Sequence, residues 1–325
     1  NSTTPGFTNW TWKADTSSDE VTGYYYALPL FMDHVCETPQ EKARVLRMIQ
    51  GTVDYIMEND WYLVDVTGKP TKWGFWNPKQ LNDNPVHYSE RELNSLGILS
   101  WLITVYRYTD NQKYLDAFKE LGVTHGYLEN SVNWRIQYPS DEDFSDDELG
   151  FMLMATVFYS FDYVPKEYRH YFEDARDRSW NIVRKYYPSL WTYMSIQMNQ
   201  EITKDYTDHA LMQLQEWPLE WIDWRVTNSN RLDVVQNTTG SRHGGTFSVD
   251  VLKQGERASD GKWNGNPYQI DNGDSGTSET EPTPWLLSYW IYRDLHNTSG
   301  DEPEHDDEEE EDEDEYCASI PVEIS

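Results

Sequence analysis

The chain has 325 residues and a formal net charge of −31, from 57 Asp and Glu against 26 Lys and Arg. That length fits one large domain or two ordinary ones. Thirteen carboxylates fall between residues 301 and 315, where no Lys or Arg occurs, so the rest of the chain still carries −18. This balance argues against nucleic acid or an anionic membrane surface as a partner. No run of about 18 apolar residues exists, so no membrane span is expected.

Residues 1–14 read as an N-terminal extension. The first helix is predicted over 17–34, where Ser17 and Glu20 have capping-box spacing and the run Val21–Phe31 is apolar and aromatic nearly all round. A helix apolar on every side belongs in a core, so this stretch is expected to be the centre of the fold. Thr38-Pro39 opens a second helix, with apolar residues at helical spacing from Val45 to Ile56 and an end near Asn59. Trp61–Asp65 reads as a short strand and Gly68–Pro70 as a turn, followed by the aromatic run Trp73–Pro78, which suits a hairpin.

Ser89 and Glu92 form a second capping box, opening a helix that runs to about Tyr108. Asp110 is expected to cap the next, to about Leu128. After a loop with Trp134, Tyr138 and Pro139, a third capping box, Ser145 to Glu148, starts an apolar helix through Phe161. Pro165 begins another that ends near Tyr187. Short helices follow over 190–200 and 206–216. Residues 218–283 read as loop-rich, and a last helix covers 284–295. The acidic run within 301–325 repels itself and is expected to be a disordered tail.

Short links join helix one to two, three to four and five to six, which makes each pair antiparallel neighbours. The odd helices then run parallel and are the more apolar, forming an inner ring with all three capping boxes at one end. The expected fold over 15–300 is all-α: an α/α toroid of helical hairpins, repeating every 55–75 residues or so, with long aromatic loops and a short β-hairpin. About nine helices are predicted, whereas a closed ring of six hairpins needs twelve. The ring is incomplete, or 218–283 holds further helices, or an N-terminal portion is absent.

The hairpin periodicity, together with ERELNSLGILSWLITVYRYTDNQKYLDAF at 90–118, resembles the (α/α)6-toroid glycoside hydrolases and polysaccharide lyases. In those enzymes an inner helix is followed by a tight turn and a TxDxKYL-type outer helix. The resemblance covers about residues 15–216. A closer likeness is to an uncharacterised secreted group with a DTSSDE opening (15–20), a TKWGxWxP loop (71–78), SDDEL (145–149), NSxRLD (228–233) and KWNGNP (262–267) segments. The resemblance implies a carbohydrate-active protein, a glycoside hydrolase or a polysaccharide lyase, without naming the reaction.

Glycoside hydrolysis needs two carboxyl groups flanking the scissile bond. Candidates for that acid/base pair are Asp15, Asp19, Glu90 and Asp147, each near the start of an inner helix. Capping and the helix dipole account equally for Asp19, for Glu20 and for the cluster Asp143, Asp146, Asp147 and Glu148. Arg91 and Asn94, on the turn after His87 and Tyr88, are candidates for holding a substrate carboxylate or hydroxyl; an ordinary ion pair is the other reading. A lyase would want a base and a cation to neutralise a uronate, with Arg91 the available charge. Trp73, Trp76 and Trp134 are candidate stacking platforms for sugar rings.

Asp271–Gly276 is oxygen-rich like a calcium loop but lacks EF-hand spacing, so an ordinary turn is expected and no cofactor is assigned beyond calcium. Cys36 and Cys317 sit in no CxxC pattern; one disulfide pinning the tail and two free thiols both stay open. Sequons at Asn1, Asn9, Asn237 and Asn297 favour a secreted glycoprotein, and the chain starts at Asn1 without a signal peptide, as a processed or excerpted piece would. The competing reading is a non-catalytic extracellular structural or glycan-binding glycoprotein that self-associates. Neither G-x-G-x-x-G, a P-loop, HExxH nor G-x-S-x-G occurs.

Overall fold

Thirteen consecutive residues from Leu93 to Val105 are buried, and the helix that contains them, α3 (Arg91–Thr109), is the centre of the molecule. It tolerates polar residues there because their hydroxyls return to the helix itself: Ser100 Oγ donates to the Gly97 carbonyl at 2.7 Å and Thr104 Oγ1 to that of Ser100 at 2.8 Å. Buried polar groups without such partners are costly. The computed structural model describes residues 6, 8, 10–11, 15–133, 145–186, 188–218, 220–237, 247–257, 266–279 and 282–299.

The expectation that the first helix would be the centre is corrected. Helix α1 (Ser18–His34) buries Val21, Tyr25, Pro29 and Met32 along one side and leaves Tyr24 and Phe31 exposed. Its aromatic content misleads because those rings cover the surface as well as the core. Glu20 does reach back to the Ser17 amide at 2.9 Å. Helix α2 (Pro39–Glu58) follows, with Thr38 and Glu41 closing a reciprocal cap. Strands β1 (Tyr62–Val64) and β2 (Pro70–Phe75) form the antiparallel hairpin, turned at Gly68, whose φ of +77° suits glycine.

The Ser89–Glu92 capping box does not form. A 3-10 turn over Pro85–Glu90 precedes α3, and Ser89 Oγ donates to Glu90 instead. Asp110 is not the cap of the next helix either. It closes α3 in the left-handed conformation (φ 51°), and Asn111 caps α4 (Gln112–Lys119) by accepting from the Lys113 amide. The predicted single helix to Leu128 is broken by a π-turn over Glu120–Thr124 and by left-handed Gly126 before α5 (Tyr127–Val132).

Helix α6 (Ser145–Tyr159) leads through 3-10 turns to α7 (Arg169–Val183), then α8 (Ser189–Gln197), α9 (Lys204–Gln215) and α10 (Thr283–Ser299). Between α9 and α10 the described residues hold four strands, β3 (Ile222–Thr227), β4 (Gln236–Asn237), β5 (Phe247–Ser248) and β6 (Asp271–Glu279), and one 3-10 turn over Gln254–Glu256. Strand β6 pairs antiparallel with β3, and β5 with β4. The turn expected at Asp271–Gly276 is therefore part of a strand, tolerated because Gly273 and Gly276 adopt positive φ where the ladder register shifts.

Side-chain pairs give the helix directions. Ser189 faces Ser288 and Tyr193 faces Tyr292, so α8 and α10 run parallel. Phe151 stacks on Trp191, and one cleft collects the last turns of α6 and α8. Arg107 and Tyr108 at the end of α3 and Tyr159 at the end of α6 meet Asp33 at the end of α1. Helices α1, α3, α6, α8 and α10 thus point the same way. Helix α7 runs against α6, since Arg176 meets Phe158 and Ser179 meets Met154. In α9, Gln213 near the C-terminus receives the Ser189 amide at the start of α8, so this pair is antiparallel too. Of the pairs expected to be antiparallel from their short links, α6 and α7 are so by these contacts, and no helix among the described residues is long and apolar enough to cross a membrane.

Candidate functional site

Because five helices point the same way, their C-terminal ends gather at one end of the molecule. Each brings a different side chain there. Asp33 Oδ2 accepts from Arg107 Nη2 at 2.7 Å, Tyr108 OH at 2.8 Å and Tyr159 OH at 2.9 Å. The guanidinium also lies over the rings of Tyr108 and Tyr159 and donates to the Tyr159 carbonyl. Burial first, then the bond to Asp33, holds both phenols above the ordinary tyrosine value. They stay protonated and act as donors. On its other side Tyr159 OH is 3.1 Å from His34 Nε2.

Beyond His34 and Tyr159 opens a cleft of about 640 Å³, walled by the C-terminal halves of α1, α6 and α10 and the end of α8. This is within the usual span for ligand sites, about 300–1,000 Å³. Tyr26 and His34 come from α1, Tyr159 from α6, Gln197 and Asn199 from the end of α8, and Trp290 and Asp294 from α10. Trp290 is 63% exposed, lines the cleft and meets the Tyr289 ring edge-to-face at 5.2 Å between centroids. Burial pushes the Tyr26 phenol up to about 12.

The rim at Asn199 is held from below. Asn199 sits at φ 60°, a left-handed conformation that asparagine tolerates. Arg176 Nη1 donates to the Met198 carbonyl at 2.7 Å and to that of Asn199 at 3.3 Å, while its guanidinium covers Phe158, another residue of the cleft wall. One side chain of α7 therefore supports two walls. The lining joins apolar surface with amide, hydroxyl, imidazole and carboxylate groups, a set suited to a ligand with both C–H faces and hydroxyls.

Of the residues singled out from sequence, Asp15, Asp19, Trp73, Trp76, Glu90, Arg91 and Asn94 lie at the other end, near the β1–β2 hairpin and the start of α3. Asp15 Oδ1 accepts from the Lys72 amide of β2 at 2.8 Å, and Asp19 accepts from Ser17 Oγ. Asn94 is 2% exposed and its Nδ2 donates to the Phe75 carbonyl at 3.1 Å. Arg91, half-buried, donates to the Leu81 and Asn82 carbonyls and lies over the Tyr88 ring, which braces the 79–90 turn. Glu90 accepts from Ser89.

Trp73 is 40% exposed with Lys72 Nζ 4.3 Å from its ring centroid, so part of its face is already covered. Trp76 is fully buried, edge-on to Trp101, and offers no face for stacking. Hydrophobic packing claims an indole unless the backbone turns it outward. The structure thus brings Asp15, Trp73, Trp76, Arg91 and Asn94 together around one hairpin. Neither the large cleft nor a smaller one of about 380 Å³ between α1, α2 and β1 is lined by Asp15, Asp19 or Glu90.

Trp134, Tyr138, Asp143, Trp263, Asn264, Cys317, the sequons at Asn1 and Asn9 and the 301–325 tail lie outside the described residues, as do the side chains of Asp147 and Asn297. Asn237 is exposed on β4, and Cys36 is buried with a free thiol.

His34, Tyr159, Asn199, Trp290 and Asp294 were not singled out from sequence. One signal for them exists: Leu287, Trp290, Ile291, Asp294 and Leu295 recur at i, i+3, i+4, i+7 and i+8, a helix face that mixes a tryptophan and a carboxylate with aliphatics. Such a face is as consistent with packing as with a ligand until its neighbours are known. Comparisons with protein-family models, with curated proteins and with solved structures find no match to this chain.

Proposed function

We propose that this chain is a secreted carbohydrate-binding protein on an open α/α-toroid scaffold, with its glycan site in the cleft between α1, α6, α8 and α10. The observation that carries the reading is the exposed Trp290 on the wall of a cleft that also holds Gln197, Asn199, His34 and Tyr159. Sugars are recognised by stacking of their C–H faces on aromatic rings and by hydrogen bonds from amides and hydroxyls to their hydroxyls. Five helices running parallel, with α7 set against α6 and α9 against α8, support the toroid. The four sequons support secretion.

Binding is favoured over hydrolysis by the inventory of acids. A hydrolase needs two carboxyl groups facing the bond. Among the described residues lining the cleft Asp294 is the one carboxylate, and nearby Asp33 is already engaged by three donors. The test is capture of the full chain on a panel of immobilised polysaccharides, repeated with Trp290→Ala. Retention lost in the variant supports the reading. Retention equal in both, or none on any polysaccharide, refutes it.

A further inference from the structure

We infer that the glycan this cleft accepts is uncharged, a neutral hydroxyl- or acetamido-bearing oligosaccharide rather than a uronate or sulfated one; this rests on the cleft reading above. A sugar carboxylate or sulfate leaving water for a protein wall needs a cationic partner, because the lost hydration of an ion is large. Among the described lining residues there is neither Lys nor Arg. The two arginines behind the walls are committed elsewhere. Arg107 gives Nη2 to Asp33 and Nη1 to the Tyr159 carbonyl, with its guanidinium face against two phenol rings. Arg176 holds the Met198 and Asn199 carbonyls and pairs with Asp177 at 2.8 Å.

The described groups that do face the cleft include a carboxylate and an imidazole but neither a guanidinium nor an ammonium. Asp294 contributes a carboxylate to the wall, and the chain outside 301–315 carries a net −18, which lowers the local concentration of anionic ligands. The other polar groups include the Gln197 and Asn199 amides, the Thr156, Tyr26 and Tyr159 hydroxyls and the His34 ring. Pro29, Leu30, Ile196 and Leu287 make the intervening surface apolar. Amides both donate and accept, which matches hydroxyl and acetamido groups, and aliphatic surface matches the C–H faces of an uncharged ring.

The experiment is calorimetric titration of the full chain with neutral oligosaccharides (gluco-, xylo- and chito-series) and charged ones (oligogalacturonate, hyaluronate and heparin fragments), using wild type and Trp290→Ala. The expected result is binding of at least one neutral series, a Kd raised at least tenfold by Trp290→Ala and insensitive to salt, and charged series at least tenfold weaker. A charged oligosaccharide that binds as tightly as any neutral one and is weakened by Trp290→Ala overturns the inference and leaves the cleft reading standing. Binding untouched by Trp290→Ala, or no binding in any series, overturns the cleft reading and the inference with it.

Discussion

Replacing Asp33 with alanine removes a carboxylate of α1 that binds side chains at the C-terminal ends of both α3 and α6. The carboxylate accepts three bonds of 2.7–2.9 Å, and the side chains of Asp33 and Arg107 keep 24% and 20% of their exposure. A hydrogen bond to a charged group is worth roughly 1.5–3 kcal/mol net, and three on one oxygen do not add. Breaking a buried ion pair costs roughly 3–5 kcal/mol; with about a fifth of each partner still in water, the lower end applies. The expected loss for Asp33→Ala is therefore about 3 kcal/mol, read from the urea midpoint. With an unfolding entropy of about 2.1 cal/mol/K per residue, a chain of 325 residues should lose about 4 °C in Tm. Asp33→Asn keeps an acceptor for the two phenols and should lose about half as much. Much of the penalty is the stranded guanidinium, so Asp33→Ala combined with Arg107→Met should cost at least about 1 kcal/mol less than the two single changes summed. In Asp33→Ala, Tyr108 and Tyr159 should also ionise at lower pH, seen by ultraviolet absorbance. A loss under about 1 kcal/mol for Asp33→Ala, or strict additivity in the double variant, refutes the view that this carboxylate ties the three helices.

Alkaline pH should unfold the protein through its buried tyrosines. Burial pushes Tyr26 and Tyr268 up to about 12, whereas an unfolded tyrosine ionises near 10. Their stabilising effect is complete below about pH 10 and is lost as pH rises toward the folded value, at roughly 1.4 kcal/mol per pH unit for Tyr26 and less for partly screened Tyr268; a urea midpoint unchanged between about pH 9 and 11.5 contradicts this. Gly273→Ala places a Cβ 2.1 Å from the Trp224 carbonyl oxygen at a φ of +92°. The β3–β6 ribbon should open, with a cost of about 2 kcal/mol and faster hydrogen exchange at Ile222–Thr227; unchanged exchange counts against it. Trp101→Ala, in the core between Tyr25 and Trp76, should cost about 3–5 kcal/mol in urea. Trp290→Ala, on an exposed ring, should stay within about 0.5 kcal/mol of wild type while losing glycan. Equal destabilisation by the two tryptophan variants would contradict their assigned places.

Periodicity, proline and asparagine placement and link length are local quantities, and what depended on them could be read from the residues. The starts of α1 and α2, the hairpin turned at Gly68, the positions of α8 and α9 and the reversal of direction from α6 to α7 all follow from a few neighbouring side chains. Where two local signals competed, the reading failed. Ser89 had capping spacing, but the 3-10 turn ahead of α3 took its hydroxyl to Glu90. Asp110 looked like a cap, yet the chain reverses through its left-handed backbone and Asn111 caps instead. Burial was decided only by the tertiary structure. Apolar side chains are half exposed in α1 and sealed from Leu93 to Val105 in α3 because the number of neighbours around a helix is set by its place in the packing, not by its composition. The cleft is likewise a product of packing. His34, Tyr159, Asn199 and Trp290 stand up to 256 residues apart in the chain and meet only because parallel helices bring the C-terminal ends of α1, α6 and α8 beside the middle of α10. No spacing rule within a single segment can encode that convergence, since the contacts that create it are made between segments.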